Sequence, residues 1–383
     1  MKILTILLIA SAFTVRATPE EDINAILAVG PEGRNHAPAT AAWNRLTNGT
    51  GPEGIPPLLH AMNRAGELSA NWLRGAVSVL SQGQAAAAPK LPLAEITAFA
   101  RDTANKPAPR VLAWQLLERY DKAAWDQLAP GLLLDPAAPL RREPVQRLID
   151  IGKKGGDVTA LRQALEAARD EDQITAAADA LREKGESVDL PRHFGFLMDW
   201  HITGPFDNRG RKGHETAFPP ETSIDTAAVY DGMELKAGEK NQIKWLPYTS
   251  ASQFGIIDIN KPLGMLKNAT AYATTVWNSP EERTAEVRLG SKNAWKVWLN
   301  GRLLFARDEY HRGMMIDQYT MPVSLKKGPN IFLVKCCQNE QTETWTVEWN
   351  FQLRICDSTG TAILDPARPP TPAAALKAEN AAK

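Results

Sequence analysis

The sequence predicts a multidomain α plus β chain: an α-helical, repeat-like half followed by an antiparallel β-sandwich. Three observations carry this. Short amphipathic segments rich in Ala, Leu, Arg and Glu, broken by Pro and Gly, fill residues 18–190. Past Leu190-Pro191 the texture changes to β-branched and aromatic residues, and seven of the eleven Trp lie there. Turn residues then recur at short intervals between alternating segments, as a sandwich requires.

The first element is an apolar leader. Lys2 precedes an apolar run from Ile3 to Val15, and Val15-Arg16-Ala17 supplies a small-x-small cleavage pattern. Residues 1–17 therefore read as a signal peptide, and the expected location is the periplasm or the exterior. The run is too short to span a bilayer comfortably, and no other long apolar stretch follows, so no membrane span is expected after cleavage. No Cys follows the run, which argues against a bacterial lipoprotein anchor.

Composition bounds the rest. The chain has 383 residues, enough for two cores, with 44 Lys plus Arg against 44 Asp plus Glu. Zero net charge supplies no global field toward nucleic acid, and no nucleic-acid partner is expected. Cysteine is sparse: Cys336, Cys337 and Cys356. Adjacent cysteines point to opposite faces of a strand, and a simple hairpin register sets Cys356 far from either. Free, buried thiols are the expected state.

In the helical half, Val111, Leu112, Leu116 and Leu117 fall at helical spacing, as do Val145, Leu148 and Ile149. Ala108-Pro109-Arg110-Val111-Leu112 is echoed by Ala138-Pro139-Leu140-Arg141-Arg142, each opening a helix, and Asp135-Pro136 precedes the second. Paired helices recurring in this way suggest a short α-solenoid, with a plain bundle as the alternative. Trp43, Trp72, Trp114 and Trp125 read as core, or else as contact residues on a partner surface.

The β half, 191–365, carries candidate strands from His193–Thr203 through Thr344–Cys356. Asn300-Gly301 lies between the alternating Trp295–Leu299 and Arg302–Ala306 and tolerates the positive φ of a type I′ hairpin turn. In the last strand Trp345, Val347, Trp349, Phe351, Leu353 and Ile355 share one face, expected to meet the core. The tail 366–383, rich in Pro and Ala, is expected to be disordered.

Gly290-Ser291-Lys292-Asn293-Ala294 through Phe305, with Leu325-Lys326-Lys327-Gly328-Pro329-Asn330 through Lys335, resembles the hairpin and strand of galactose-binding-like jelly rolls. Trp200-His201-Ile202-Thr203-Gly204-Pro205-Phe206-Asp207-Asn208, with Phe218-Pro219-Pro220-Glu221, resembles the opening of similar domains in exported proteins of planctomycete-type bacteria. The helical tract resembles divergent HEAT repeats, best at Asp135-Pro136 to Ile149. The resemblance implies a jelly-roll sandwich after helical repeats. This fold hosts binding modules, accessories of catalytic domains and spacers alike, so function has to come from the site.

Three polar segments are candidates for that site. The first is Arg307, Asp308, Glu309, Tyr310, His311 and Arg312, running into Asp317, Gln318 and Tyr319. It offers the donors, acceptors and aromatic faces that sugars need, or else a solvated loop with internal ion pairs. The second is Asp207, Asn208 and Arg209 with the basic, Gly-rich Arg211–His214; one Asp-Asn pair falls far short of a calcium site. The third is Gln338–Glu343, whose amides suit hydroxyls or a hairpin turn. Trp298 alternates with the core-facing Trp295, Val297 and Leu299, so it projects from the sheet as a sugar platform or as an interface.

No catalytic motif, metal spacing or cofactor loop occurs in the sequence. The expectation is a non-catalytic exported protein, without cofactor, whose sandwich binds a carbohydrate or cell-envelope polymer while the helical half serves as scaffold or protein-partner surface. The alternatives are a purely structural protein–protein module of the envelope, or a polysaccharide hydrolase using Asp308, Glu309 or Asp317.

Overall fold

The computed structural model describes residues 17–82, 90–236, 238–368 and 370. The expected leader lies outside them except for Ala17. Of the tail, residues 369 and 371–383 lie outside them too. Arg368, inside the segment read as tail, is tied to Asp199 by an ion pair of 3.2 Å and to Thr275 by a hydrogen bond of 3.0 Å. Among the described residues no helix is long and apolar enough to cross a membrane.

The chain divides into two compact units between Pro144 and Val145. Eight helices open it: α1 Pro19–Leu27, α2 His36–Gly49, α3 Ile55–Met62, α4 Glu67–Gln82, α5 Leu93–Arg101, α6 Pro107–Tyr120, α7 Lys122–Leu128 and α8 Ala138–Gly155. Thr18 starts α1 with a capping box: the Glu21 amide donates to its hydroxyl, and its own amide donates to the Glu21 carboxylate. Consecutive helices pair, α1 with α2, α3 with α4 and α5 with α6, and each pair touches the next. Their apolar stripes make one core that includes Ile26, Leu59, Leu73, Val77, Ile96, Trp114 and Leu117. Trp114 and Trp125 are core residues with ring centroids 5.5 Å apart, while Trp43 and Trp72 are partly buried at its margin. Beside this core lies an ion pair. Arg110 donates to both carboxylate oxygens of Asp135, at 2.9 and 2.6 Å, and its Nε donates to Ala100 O at 2.9 Å. Arg110 of the first echoed segment thus meets Asp135, which precedes the second, in the interior.

The second unit begins within α8, which carries Pro144. It continues with α9 Val158–Ala167, α10 Glu171–Glu183 and α11 Leu190–Phe194. These helices were grouped by composition with the first half, yet they are tied to the sandwich. Arg169 donates to the Thr361 hydroxyl at 2.7 Å, and Arg182 donates to Gln253 at 3.3 Å. The change of composition near residue 190 and the division in packing therefore fall at different places. The expected strand His193–Thr203 is also shorter than read. Asp189 caps α11, its carboxylate accepting from the Arg192 amide at 3.0 Å, and Pro191 favours the first helical turn. The strand begins at Asp199.

After α11 come β1 Asp199–Asp207, α12 Pro219–Thr222, β2 Val229–Asp231, β3 Gln242–Lys244, β4 Leu246–Thr249, β5 Ile257–Asp258 and α13 Asn260–Leu263. Then follow β6 Ala269–Ser279, β7 Arg283–Ser291, β8 Ala294–Leu299, β9 Arg302–Arg307, β10 Tyr319–Leu325, β11 Gly328–Gln338 and β12 Asn350–Cys356. The larger sheet has the order β4-β1-β6-β11-β8-β9 and the smaller β10-β7-β12-β5, all pairs antiparallel. Inward side chains of both sheets, among them Trp200, Trp277, Leu289, Trp295, Phe332, Trp349 and Phe351, fill the layer between. This is the β-sandwich the sequence predicts. The β8–β9 hairpin turns at Asn300 (φ 52°) and Gly301 (φ 82°), the positive angles its sequence allows. The three cysteines are free and buried.

The outer face of the larger sheet is partly roofed by the excursion between β1 and β4. Phe206, Ile243, Trp245, Tyr272, Trp298 and Leu333 form a second, smaller core there. Lys335 pins the roof. Its fully buried ammonium donates to His214 O (2.9 Å), Thr216 O (2.7 Å) and the Glu221 carboxylate (2.8 Å), and the Tyr272 hydroxyl donates to the same carboxylate. All three donors of this cation are used, which is what permits its burial.

Candidate functional site

Strand direction decides which loops can meet. β1 and β11 both run antiparallel to β6, and β11 and β9 both run antiparallel to β8. The C-terminal ends of β1, β11 and β9 therefore open at one end of the sandwich. Register aligns them: Asp207 and Gln338 both face Ala269, and Cys337 and Arg307 face the adjacent residues Ala294 and Trp295 of β8. The three loops that leave these strands are the three candidate segments of the sequence.

Their side chains meet. Asn208 is fully buried; its amide donates to Gln338 O at 2.9 Å and to the Tyr310 hydroxyl at 3.2 Å, and its Oδ1 accepts from the Gly213 amide at 2.9 Å. It is a staple between loops. Above it, the Arg211 guanidinium lies 5.3 Å from the centre of the Tyr310 ring and donates to Glu340 at 2.5 and 3.2 Å. The Glu340 hydrogen bond holds the Arg211 charge more firmly, and the same bond keeps the Glu340 carboxyl below its ordinary range. Burial pushes the Tyr310 phenol up, so it stays neutral. His311 donates its amide to Lys292 O at 2.5 Å, and its ring Nε2 meets Asn339 Oδ1 at 2.7 Å. Its imidazole stands edge-on to Trp345, with ring centroids 5.6 Å apart.

Trp345 is the residue the sequence misplaced. Alternation set it on the core face of a long strand, but β12 starts only at Asn350, and Trp345 is 61% exposed. A short 3₁₀ turn, Thr344–Thr346, replaces the expected strand. The Thr346 hydroxyl bonds Gln341 O and Glu343 O, while Lys267 and Gln338 both donate to Thr346 O. These side-chain bonds pin the backbone in a turn and swing the indole outward. The even spacing was continuous; the polar Gln341-Thr342-Glu343-Thr344 before it was the available signal.

The other candidates divide. Trp298 is only 8% exposed and belongs to the roof core, so it presents no open platform. Asp317 lies against the smaller sheet and accepts from Arg288 (2.6 Å) and Arg354 (2.6 and 2.5 Å). Burial pushes its carboxyl up, but the Arg354 hydrogen bonds and charge outweigh this and hold it below its usual range. It is held ionised between two strands by these ion pairs. Gln318 is likewise held, accepting from the Ser291 amide and donating to Gly313 O. Arg307 spreads over Phe305 and Tyr319, at 5.2 and 5.6 Å. Glu309 and Arg312 form an exposed pair at 3.5 Å, and Asp207 and Arg209 another at 3.0 Å. Asp308 is exposed beside Tyr310. Among the described residues no group of three or more His, Cys, Asp or Glu is arranged to hold a metal.

The loop end thus presents an open indole edged by the His311 imidazole, with the Tyr310–Arg211 stack and its Glu340 carboxylate on the adjoining loops. An apolar ring face takes C–H groups, and the polar rim takes hydroxyls.

The fold defines the chain as a helical protein carrying an antiparallel β-sandwich, with a polar-aromatic cluster at one end of it. No protein-family model matches it, and no curated protein does. Among solved structures it is similar to the PA14 domain of the antifreeze protein MpAFP (10% identity, 26% of this chain and 54% of that one, TM-score 0.19). It is similar to a β-glucosidase from Kluyveromyces marxianus in complex with glucose (12% identity, 44% and 17%, TM-score 0.25). A family 35 carbohydrate binding module from Clostridium thermocellum aligns over 40% of this chain and 98% of the module (8% identity, TM-score 0.18). The chain thus spans about half of the antifreeze domain and a sixth of the glucosidase.

Proposed function

We propose that the sandwich of this exported protein binds a carbohydrate or cell-envelope polymer at the loop end, with the helical, HEAT-like half as scaffold or partner surface. The observation that carries the reading is Trp345: an open indole against His311, at the end of the sandwich where the candidate loops meet. Large exposed aromatic groups beside hydrogen-bonding rims are the ordinary means of holding a sugar.

The test is a glycan array followed by calorimetric titration of the full chain with the best-binding glycan. Trp345→Ala is expected to weaken binding by at least about tenfold, roughly one well-placed aromatic contact. Trp298→Ala is expected to act on stability through the roof core, with no selective loss of affinity. Absence of binding across broad glycan classes would overturn the reading.

A further inference from the structure

A second cavity lies in the same unit, built from other elements. It measures about 470 Å³ and is walled by α9, the start and end of α10, α11 and the segment 360–364. Leu165, Ile174, Leu181, Val188, Phe194 and Leu364 give it an apolar lining. That size is within the range of small-molecule sites. A neighbouring cavity of about 340 Å³ shares Asp189, Arg192 and Leu364 with it, so both flank the short helix α11.

Two consecutive residues of α11 face this space with hydrogen-bonding capacity left over. The Arg192 guanidinium makes one hydrogen bond among the described residues, Nη1 to Arg368 O at 3.3 Å. The His193 imidazole has no hydrogen-bond partner among them; its one ring contact is Phe194, edge-on at 5.8 Å. Both residues are part-buried, so their free donors reach the cleft and are available to a ligand that displaces water there. Burial, then the Arg169 and Arg354 charges, lower the His193 pKa to about 4, so the potential at the ring is positive and the ring neutral. Arg354 is already answered by Asp317 and by the carbonyls of Phe194 and Gly360. Glu166, Glu186 and Asp189 stand on the same walls and bring the cleft close to charge balance. Arg162, Arg169, Arg192 and Arg354 stand against these three carboxylates, so the lining keeps one formal positive charge, which suits a single negative charge.

We infer that this cleft binds a small organic monocarboxylate, its carboxylate on Arg192 and His193 and its apolar body against the lining. An Arg fork matches a carboxylate geometrically, and a neutral imidazole donates to it without a second charge. The site is independent of the loop-end cluster and does not rest on its function.

The experiment is an NMR titration of the full chain with 4-phenylbutyrate and with its neutral amide. Saturable shifts are expected at residues of 162–194 and 360–364, with the acid bound at least about tenfold more tightly than the amide. Arg192→Gln should abolish that preference, His193→Phe should reduce it, and Trp345→Ala should leave it intact. Comparing acid with amide on the unaltered chain tests the inference even if a variant fails to fold. Equal binding of acid and amide, no saturable shift up to about 10 mM, or indifference to Arg192→Gln in a folded variant would each overturn it.

Discussion

The chain uses one piece of chemistry, an Arg bound through two nitrogens to a carboxylate, in two opposite settings. In the helical unit Arg110 and Asp135 are sealed, their side chains 2% and 6% exposed. At the sandwich's loop end Arg211 and Glu340 are about half exposed, at 47% and 48%. The bond lengths are alike, with shortest distances of 2.6 and 2.5 Å. What differs is the solvent. Water screens the outer pair and competes for it, so it is worth little and can be exchanged for a ligand. The inner pair cannot trade with water, and each partner is a liability without the other.

The largest expected effect is therefore at Asp135. Asp135→Ala leaves a guanidinium buried with only the Ala100 carbonyl, and should lower stability by about 3–5 kcal/mol in denaturant unfolding. Replacing Arg110 and Asp135 together by Met and Leu should restore most of the loss, because the desolvation of both charges disappears with them. A loss below about 1 kcal/mol for Asp135→Ala would erase the contrast with the surface pair.

His193 extends the comparison to a half-buried group with no hydrogen-bond partner among the described residues. Burial, with Arg169 and Arg354, lowers its pKa from 6.5 to about 4 in the fold. Between those values the unfolded chain binds the proton and the native chain does not. Stability should thus be intact above pH 6.5, fall as pH drops toward 4 and level off below. The total is up to ~3 kcal/mol. His193→Gln should remove that portion of the pH profile. An unchanged slope between pH 6.5 and 4 would show that the ring reaches solvent freely.

The sequence made the local features legible and left the distant ones dark. Asn300-Gly301 encodes its turn in two residues, and the alternation of Trp295, Val297 and Leu299 fixes their face. All three polar loops were also visible, but only strand direction shows that they open at one end. Alternation sets Trp298 outward, as platform or interface, and cannot choose between them because the residues that roof it, Ile243 and Trp245, lie about fifty positions earlier in the chain. Asp317 looked like a site residue because its partners, Arg288 and Arg354, belong to separate strands. Trp345 failed for the opposite reason. Its periodic pattern was real, and the Thr346 and Lys267 bonds overrode it.

The smallest effect on stability belongs to the pair at the loop end. Glu340→Gln should cost under about 1 kcal/mol, with the loss shrinking further as salt rises. The same change frees Arg211 from its carboxylate while the Tyr310 stack remains. Glycan affinity should therefore change by more than stability does, and its direction reports the chemistry of the ligand. Weaker binding means that Glu340 itself accepts hydroxyls; stronger binding means that the released guanidinium meets an acidic sugar. A glycan affinity unmoved by Glu340→Gln and by Arg211→Ala would place the sugar on Trp345 and His311 alone.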